Sequence, residues 1–265
     1  VVADATRVRP WVPGVAVVAA AFLGGVALLP GHWLRSVLVG CGLAVVTAVA
    51  MARRSAPAMR AAVFVDLVFA GYAAGAHGGW PPAVTVGVVC VAPLAALLAC
   101  DRVPRLRPAA PWLRWGRLSS EVAWLAMVTV AASSAALVWW ARSVHPTPAP
   151  YFRDLRDLPW WVGVAGVLGA ALINPIWEEA LFRGVVLTEL AALWGTLPSV
   201  VVQAAATGFA HLNGFPSGWS GMAMAATWGL VLGWVRVRTG GIAVPYAIHV
   251  FADATVGTLG VLLLV

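Results

Sequence analysis

The sequence predicts an all-α fold, a polytopic bundle of about eight or nine transmembrane helices, and three observations carry that expectation. Hydrophobic residues make up 62% of the 265 positions and charged residues only 10%, giving a mean hydropathy of +0.89. Stretches free of charge cover residues 10–34, 36–52, 67–100, 122–141, 158–177, 190–210 and 212–235. A hydrocarbon core of roughly 30 Å needs about 20 apolar residues in a helix, and several of these stretches reach that length. Glycine and proline clusters mixed with charges punctuate them, which is where helices end.

Taken in order, the first span is expected at 11–30, closed by Pro30-Gly31, and the second at 36–52, between Arg35 and Arg53-Arg54. The third, 61–77, follows Arg60 and stops at Gly78-Gly79; the fourth, 82–100, opens after Pro81 and stops at Asp101-Arg102. The fifth, 122–141, lies between Glu121 and Arg142, and the sixth, 160–178, begins after Pro159 and runs to an acidic pair. Spans at 197–212, 219–236 and 243–264 are separated by Asn213-Gly214 and Gly240-Gly241. The segment 180–195 holds Arg183 and Glu189 and reads as helical but too short to cross. Nine spans is the working count.

All 17 basic residues are Arg. With the N-terminus in the cytoplasm, beside Arg7 and Arg9, inside loops carry Arg53, Arg54 and Arg60, then Arg102, Arg105, Arg107, Arg114 and Arg117, and then Arg236 and Arg238. Outside loops carry Arg35, and Arg142, Arg153 and Arg156 offset by Asp154 and Asp157. The inside excess satisfies the positive-inside rule and places the C-terminus outside. A pI of about 10.6 is therefore explained by loops facing anionic headgroups, and nucleic acid is not an expected partner. An Arg-only basic set in an Ala-, Val- and Gly-rich chain points to a GC-rich genome, so the expected location is a bacterial plasma membrane. The apolar run after Pro10 is long enough to stay as a span rather than be cleaved as a signal peptide. Cys41, Cys90 and Cys100 have no CxxC spacing and read as small apolar residues.

Polar groups inside spans are concentrated after the Pro-rich linker His145–Pro150. This divides the chain into N-terminal helices, residues 1–150, and a core at 151–265. In the first half only Asp66 sits within a span, and it is expected to face another helix. The second half holds Glu178, Glu179, Arg183, His211, His249 and Asp253. An ionised acid at the bilayer centre costs about 2.5–3.5 kcal/mol, so adjacent carboxylates need partners or a task. Glu179 and Arg183 are i and i+4 and share a helix face. Glu178 lies roughly 100° round the helix and is free to point elsewhere, as a general base would. His249 and Asp253 are also i and i+4, and His211 ends a third helix. Carboxylate and imidazole together could deprotonate water and stabilise an oxyanion. Two His with carboxylates would equally suit a divalent metal, although the spacing is not His-Glu-x-x-His.

Glu178-Glu179-x-x-x-Arg183, a helix ending in His211, and Gly240-Gly241-Ile242 leading to His249-x-x-x-Asp253 together resemble the CPBP family. Its members are the CAAX protease and bacteriocin-processing intramembrane proteases, also called Abi proteins or type II CAAX prenyl endopeptidases. The resemblance covers about residues 160–265. It implies an intramembrane endopeptidase of metallo- or glutamate type that hydrolyses a peptide bond of a membrane-associated protein or peptide. Glu178 and His211 would activate water, His249 and Asp253 would line the oxyanion side or bind metal, and Glu179 with Arg183 would fix the helix. The cofactor is left open between a divalent metal such as zinc, with His211 and His249 as ligand candidates, and none. Two positions depart from the family pattern: Thr207 stands where a Phe precedes the His by four residues, and Asp253 where Asn is common in prenyl endopeptidases. An ionised Asp253 would repel an oxyanion, so it must be protonated, orient His249 or hold a metal. Two other readings of the same residues are a non-catalytic scaffold or bacteriocin-immunity protein on the same fold, and a proton-coupled transporter.

Overall fold

The computed structural model describes residues 11–108, 111–146 and 159–262. Arg7, Arg9, the linker from Thr147 onward and the charges at Arg153, Asp154, Arg156 and Asp157 lie outside the described residues. The described chain is all-helical. Nine helices follow one another: α1 Trp11–Gly24, α2 Trp33–Ala52, α3 Ala56–Gly78, α4 Pro82–Arg102, α5 Ser120–Val144, α6 Trp160–Trp194, α7 Thr196–Ala210, α8 Gly218–Thr239 and α9 Ala243–Leu262. They correspond one to one with the nine expected segments.

Local chemistry sets their ends. Ser55 caps α3 by accepting from the Ala58 amide, and Gly79 ends the helix at φ +69°. Ser119 caps α5 through the Val122 amide at 3.2 Å. The helix α3 begins at Ala56 rather than 61, which takes Arg60 out of the expected loop and buries it within the helix, and two further boundaries differ from the expected ones. First, α1 stops at Gly24 rather than running to residue 30, so its 14 residues span only about 21 Å. A Cβ on Gly25 would sit 3.2 Å from the backbone of Ala210, so the chain turns where α7 passes close by. Second, residues 180–195 are not a separate short helix. They continue α6 through a seven-residue π-helical segment, Ala180–Val186, whose residues are all buried.

Five helices, α2 to α6, are long and apolar enough to cross a membrane; α1 and α7 are apolar but shorter. The remaining two, α8 and α9, have the length but carry more polar and small residues. The chain is an integral membrane protein. Exposed Trp33, Trp80, Trp139, Trp160 and Trp219 mark the helix ends that chain alternation places on one side, as interfacial aromatic anchors do.

The main apolar core joins Val17, Ala20 and Ala21 of α1 to Phe64, Val65 and Val68 of α3 and to Leu181, Phe182 and Val186 of α6. Between α7 and α8 the seam is built from small residues. A Cβ on Gly208 would lie 2.7 Å from Ala226 Cβ and from the Met222 carbonyl, and one on Gly229 would lie 3.1 Å from Ala204. Such a seam lets membrane helices approach closely and pack by dispersion. Within it, buried Gln203 donates to the Gly229 carbonyl at 2.8 Å. Asp66 does face another helix, accepting from Thr47 Oγ1 of α2 at 2.7 Å.

Two further links position the site helices. Residues 111–119 strap across the α8–α9 turn: Arg117 N donates to Thr239 O at 2.9 Å and Ile242 N to Arg114 O at 2.7 Å. Any side chain on Gly241 would run into the Gly116 backbone. Deep between α3 and α6, Arg60 Nε donates to Glu189 Oε1 at 2.6 Å, and Arg60 Nη2 pairs with Glu189 Oε2. Both side chains are under 5% exposed. Removing one partner leaves a buried charge, which costs about 3–5 kcal/mol. Glu189→Leu alone should therefore lower the thermal midpoint in detergent sharply, and Arg60→Met with Glu189→Leu should recover much of the loss.

Candidate active site

The site forms where α6 meets α9, with α8 behind them. Pro175 lies inside α6, where it removes one backbone donor. Nearby carbonyls take outside donors: Leu172 O accepts from Tyr246 Oη of α9 at 2.7 Å, and Ile173 O accepts from Cys90 Sγ of α4 at 3.4 Å. One turn later comes the acidic pair, and the π-helical segment begins immediately after it. π-Segments recur at functional sites because they shift side chains out of the regular helical phase.

The two carboxylates have opposite surroundings. Glu179 is sealed, with 1% side-chain exposure, and its Oε1 lies 3.0 Å from Arg183 Nη1 and 2.8 Å from His249 Nδ1. An ionised carboxylate only accepts, so His249 Nδ1 carries the proton. Arg183 is fully buried and close enough for an ion pair, yet none of its guanidinium nitrogens is aligned for a good hydrogen bond. Its charge is also met by the face of Trp228, 5.5 Å away. The same indole stands edge-on to the His249 ring at 4.7 Å.

Glu178 is 14% exposed and Asp253 20%, so both can be reached from outside while Glu179 cannot. His249 Nε2 points between them, 3.7 Å from Glu178 Oε2 and 3.5 Å from Asp253 Oδ1. Both distances are too long for direct hydrogen bonds. On the other side of the carboxylates, Asn174 Nδ2 donates to Glu178 Oε1 and to Asp253 Oδ2, each at 3.0 Å. Asn174 was not among the residues singled out from the sequence. The available signal was its position four residues before Glu178, on the same face of the helix. Nor does the sequence show that Tyr72 of α3 packs edge-on against Trp177, with ring centroids 5.8 Å apart.

Five of the six expected residues thus lie together: Glu178, Glu179, Arg183, His249 and Asp253. His211 is set at the C-terminal end of α7 and uses Nδ1 on the Thr207 carbonyl at 2.9 Å. A carbonyl only accepts, so Nε2 is left as the basic nitrogen. Among the described residues no hydrogen bond or ion pair joins His211 to the cluster. Among them, too, no group of three or more His, Cys, Asp or Glu side chains is arranged to hold a metal ion. Among the described residues the donor set does not fit a resident metal.

Residues 159–255, from just before α6 to the middle of α9, match the model of a family described as type II CAAX prenyl endopeptidase Rce1-like. Over those residues the chain is similar to this family. No curated protein and no solved structure matches it. The Rce1-like region contains the whole cluster just described, and α3 and α4 pack on it from outside the matched residues.

The departure at Thr207 has a packing cause. Thr207 is fully buried, donates to Gln203 O at 2.9 Å, and lies 3.3 Å from where a Cβ on Gly229 would be. A benzyl group has no room in that seam. Thr207→Phe should therefore destabilise by about 1–3 kcal/mol or more, seen as a lower thermal midpoint, rather than improve the match to the family in any functional sense.

Proposed function

We propose that the protein is an intramembrane endopeptidase in which Glu178 is the general base. The observation that carries this reading is the contrast within the acidic pair. Glu178 is reachable and adjoins His249 and Asp253, while Glu179 is sealed against Arg183 and His249. The family match supports peptide-bond hydrolysis as the reaction class.

In the proposed reaction a water at the mouth between Glu178 and His249 gives a proton to the Glu178 carboxylate. Its oxygen attacks the scissile carbonyl carbon, and the C=O π electrons move onto oxygen. As the imidazolium, held from behind by Glu179 on Nδ1 and flanked by Asp253, His249 donates its Nε2–H to this oxyanion. When the tetrahedral adduct collapses, the C–N bond breaks and Glu178 returns its proton to the leaving amine. The resemblance implies a part for His211 at this water, with Nε2 as acceptor, although among the described residues its ring is bonded only to its own helix at Thr207. Glu179 and Arg183 hold the π-helical segment and the His249 ring. Preorganised groups of this kind act strongly because water is largely excluded.

The substrate class is a membrane-associated protein or peptide. The family description names prenylated CAAX substrates; for a chain in a bacterial plasma membrane, with its Arg-rich loops cytoplasmic, peptide maturation or regulated proteolysis fits better. Glu178→Gln keeps the side-chain volume and removes the base, so cleavage of a membrane-peptide library in liposomes, read by mass spectrometry, should fall at least about 10²-fold. Undiminished cleavage by that variant would sink the assignment. Because no ligand set for a metal stands together among the described residues, cleavage should also survive exhaustive EDTA treatment; loss on chelation that zinc restores would refute the metal-free reading.

A further inference from the structure

We infer that Asn174 is a positioning residue of this site, its one amide group holding the Glu178 and Asp253 carboxylates in register across α6 and α9. The inference rests on the reading of Glu178 as the base.

The amide is fully engaged. Its Nδ2 donates both hydrogens, to Glu178 Oε1 and Asp253 Oδ2 at 3.0 Å each, while its Oδ1 accepts from Trp177 Nε1 at 3.1 Å. That network fixes which way the amide faces. Turned over, the amide would set its oxygen against two carboxylates and its NH2 against an indole N–H, leaving every contact like against like. Trp177 is itself buried and braced by Tyr72, so the bracing of the amide continues outward into the N-terminal helices.

The chemistry at this point calls for a neutral donor. Glu178 and Asp253 converge on the same imidazole nitrogen from different helices, and two carboxylates so placed repel each other where screening is weak. An amide can satisfy both without adding charge. A mid-helix Asn in an apolar span is otherwise unfavourable, through both helix propensity and the burial of polar atoms, and here each of those polar atoms has a partner. The same contact explains how Asp253 is accommodated: the amide that this corner of the site uses comes from α6, and the carboxylate from α9.

A purely structural cross-link between α6 and α9 would behave differently, and substitution can separate the two. Asn174→Asp is isosteric but replaces the donor with a third carboxylate; Asn174→Ala removes the group. If Asn174 positions the base, both lower kcat by about 10²-fold with KM little changed. The Asp variant should be the worse of the two at neutral pH and recover in part at acidic pH, where the introduced carboxyl gains one O–H to donate in place of the amide's two N–H groups. Asn174→Asp with Asp253→Asn restores a hydrogen bond between the helices and should restore the thermal midpoint but not kcat, because Glu178 still lacks its donor. A double variant that regains full kcat, or an Asn174→Ala protein with wild-type kcat and pH profile, overturns the inference. If the Ala variant does not fold, the isosteric Asp variant carries the test. Independently of any substrate, the infrared carboxylate stretching bands should shift in either single variant; an unchanged spectrum counts against the inference. Loss of activity in Glu178→Gln beside normal activity in the Asn174 variants would refute this inference alone, whereas normal activity in Glu178→Gln would refute the reading beneath it.

Discussion

Glu179 is a carboxylate with 1% side-chain exposure, set inside a helix long and apolar enough to cross a membrane. It is tenable there only because positive charge and proton donors are brought to it from two directions, since a buried ion without partners costs several kcal/mol. Arg183 arrives from one turn further along α6 and His249 from α9. Much of the surrounding architecture serves that meeting. Ala180–Val186 takes a π-helical course with all seven residues buried. Gly184 within it admits Trp112 of the strap, which would lie 3.3 Å from a Cβ there. The strap in turn fixes the first residues of α9, six residues before His249. Trp228 of α8 closes the assembly by facing Arg183 and standing edge-on to His249.

Once Glu179 is committed inward, Glu178 is turned away from it by helical phase, roughly 100°. It stays partly exposed, beside Asp253 and the remaining nitrogen of His249. Two chemically identical neighbours therefore differ in what surrounds them. One is held by a cation and an N–H donor out of reach of solvent, and the other is tethered at a single oxygen by Asn174. Because His249 touches both, it is the means by which the sealed carboxylate can influence the open one. Nδ1 is fixed on Glu179 at 2.8 Å, and that bond determines the direction in which Nε2 points.

Features that depend on spacing along one helix were legible in the sequence. Nine helices lie where runs of apolar residues and Gly/Pro breaks put them, and the i, i+4 relation joins Glu179 to Arg183 as expected. Features that depend on how helices approach one another were not. The early end of α1 follows from contact between Gly25 and Ala210, two residues with no pattern to connect them. The charges in 178–189 suggest a helix end before residue 180. Buried partners instead neutralise those charges, Arg183 and His249 for Glu179 and Arg60 for Glu189, so α6 continues. His211 stands in the right order along the chain, but chain order does not specify distance, and its ring bonds its own helix at Thr207.

The N-terminal helices carry no recognisable motif, yet they set the environment of the site helix. Arg60 of α3 meets Glu189 at one end of α6, Tyr72 packs on Trp177 beside the acidic pair, and Cys90 of α4 donates to Ile173 O one turn before it. These three contacts run along one flank of α6, and α9 occupies another through Tyr246, His249 and Asp253. A helix carrying two adjacent carboxylates and an internal proline has weak local reasons to stay regular in an apolar medium. Support on two flanks supplies the missing constraint. Motif-free sequence is what that task allows, because apolar packing specifies volume and shape rather than residue identity, with Arg60 as the charged member of these three contacts.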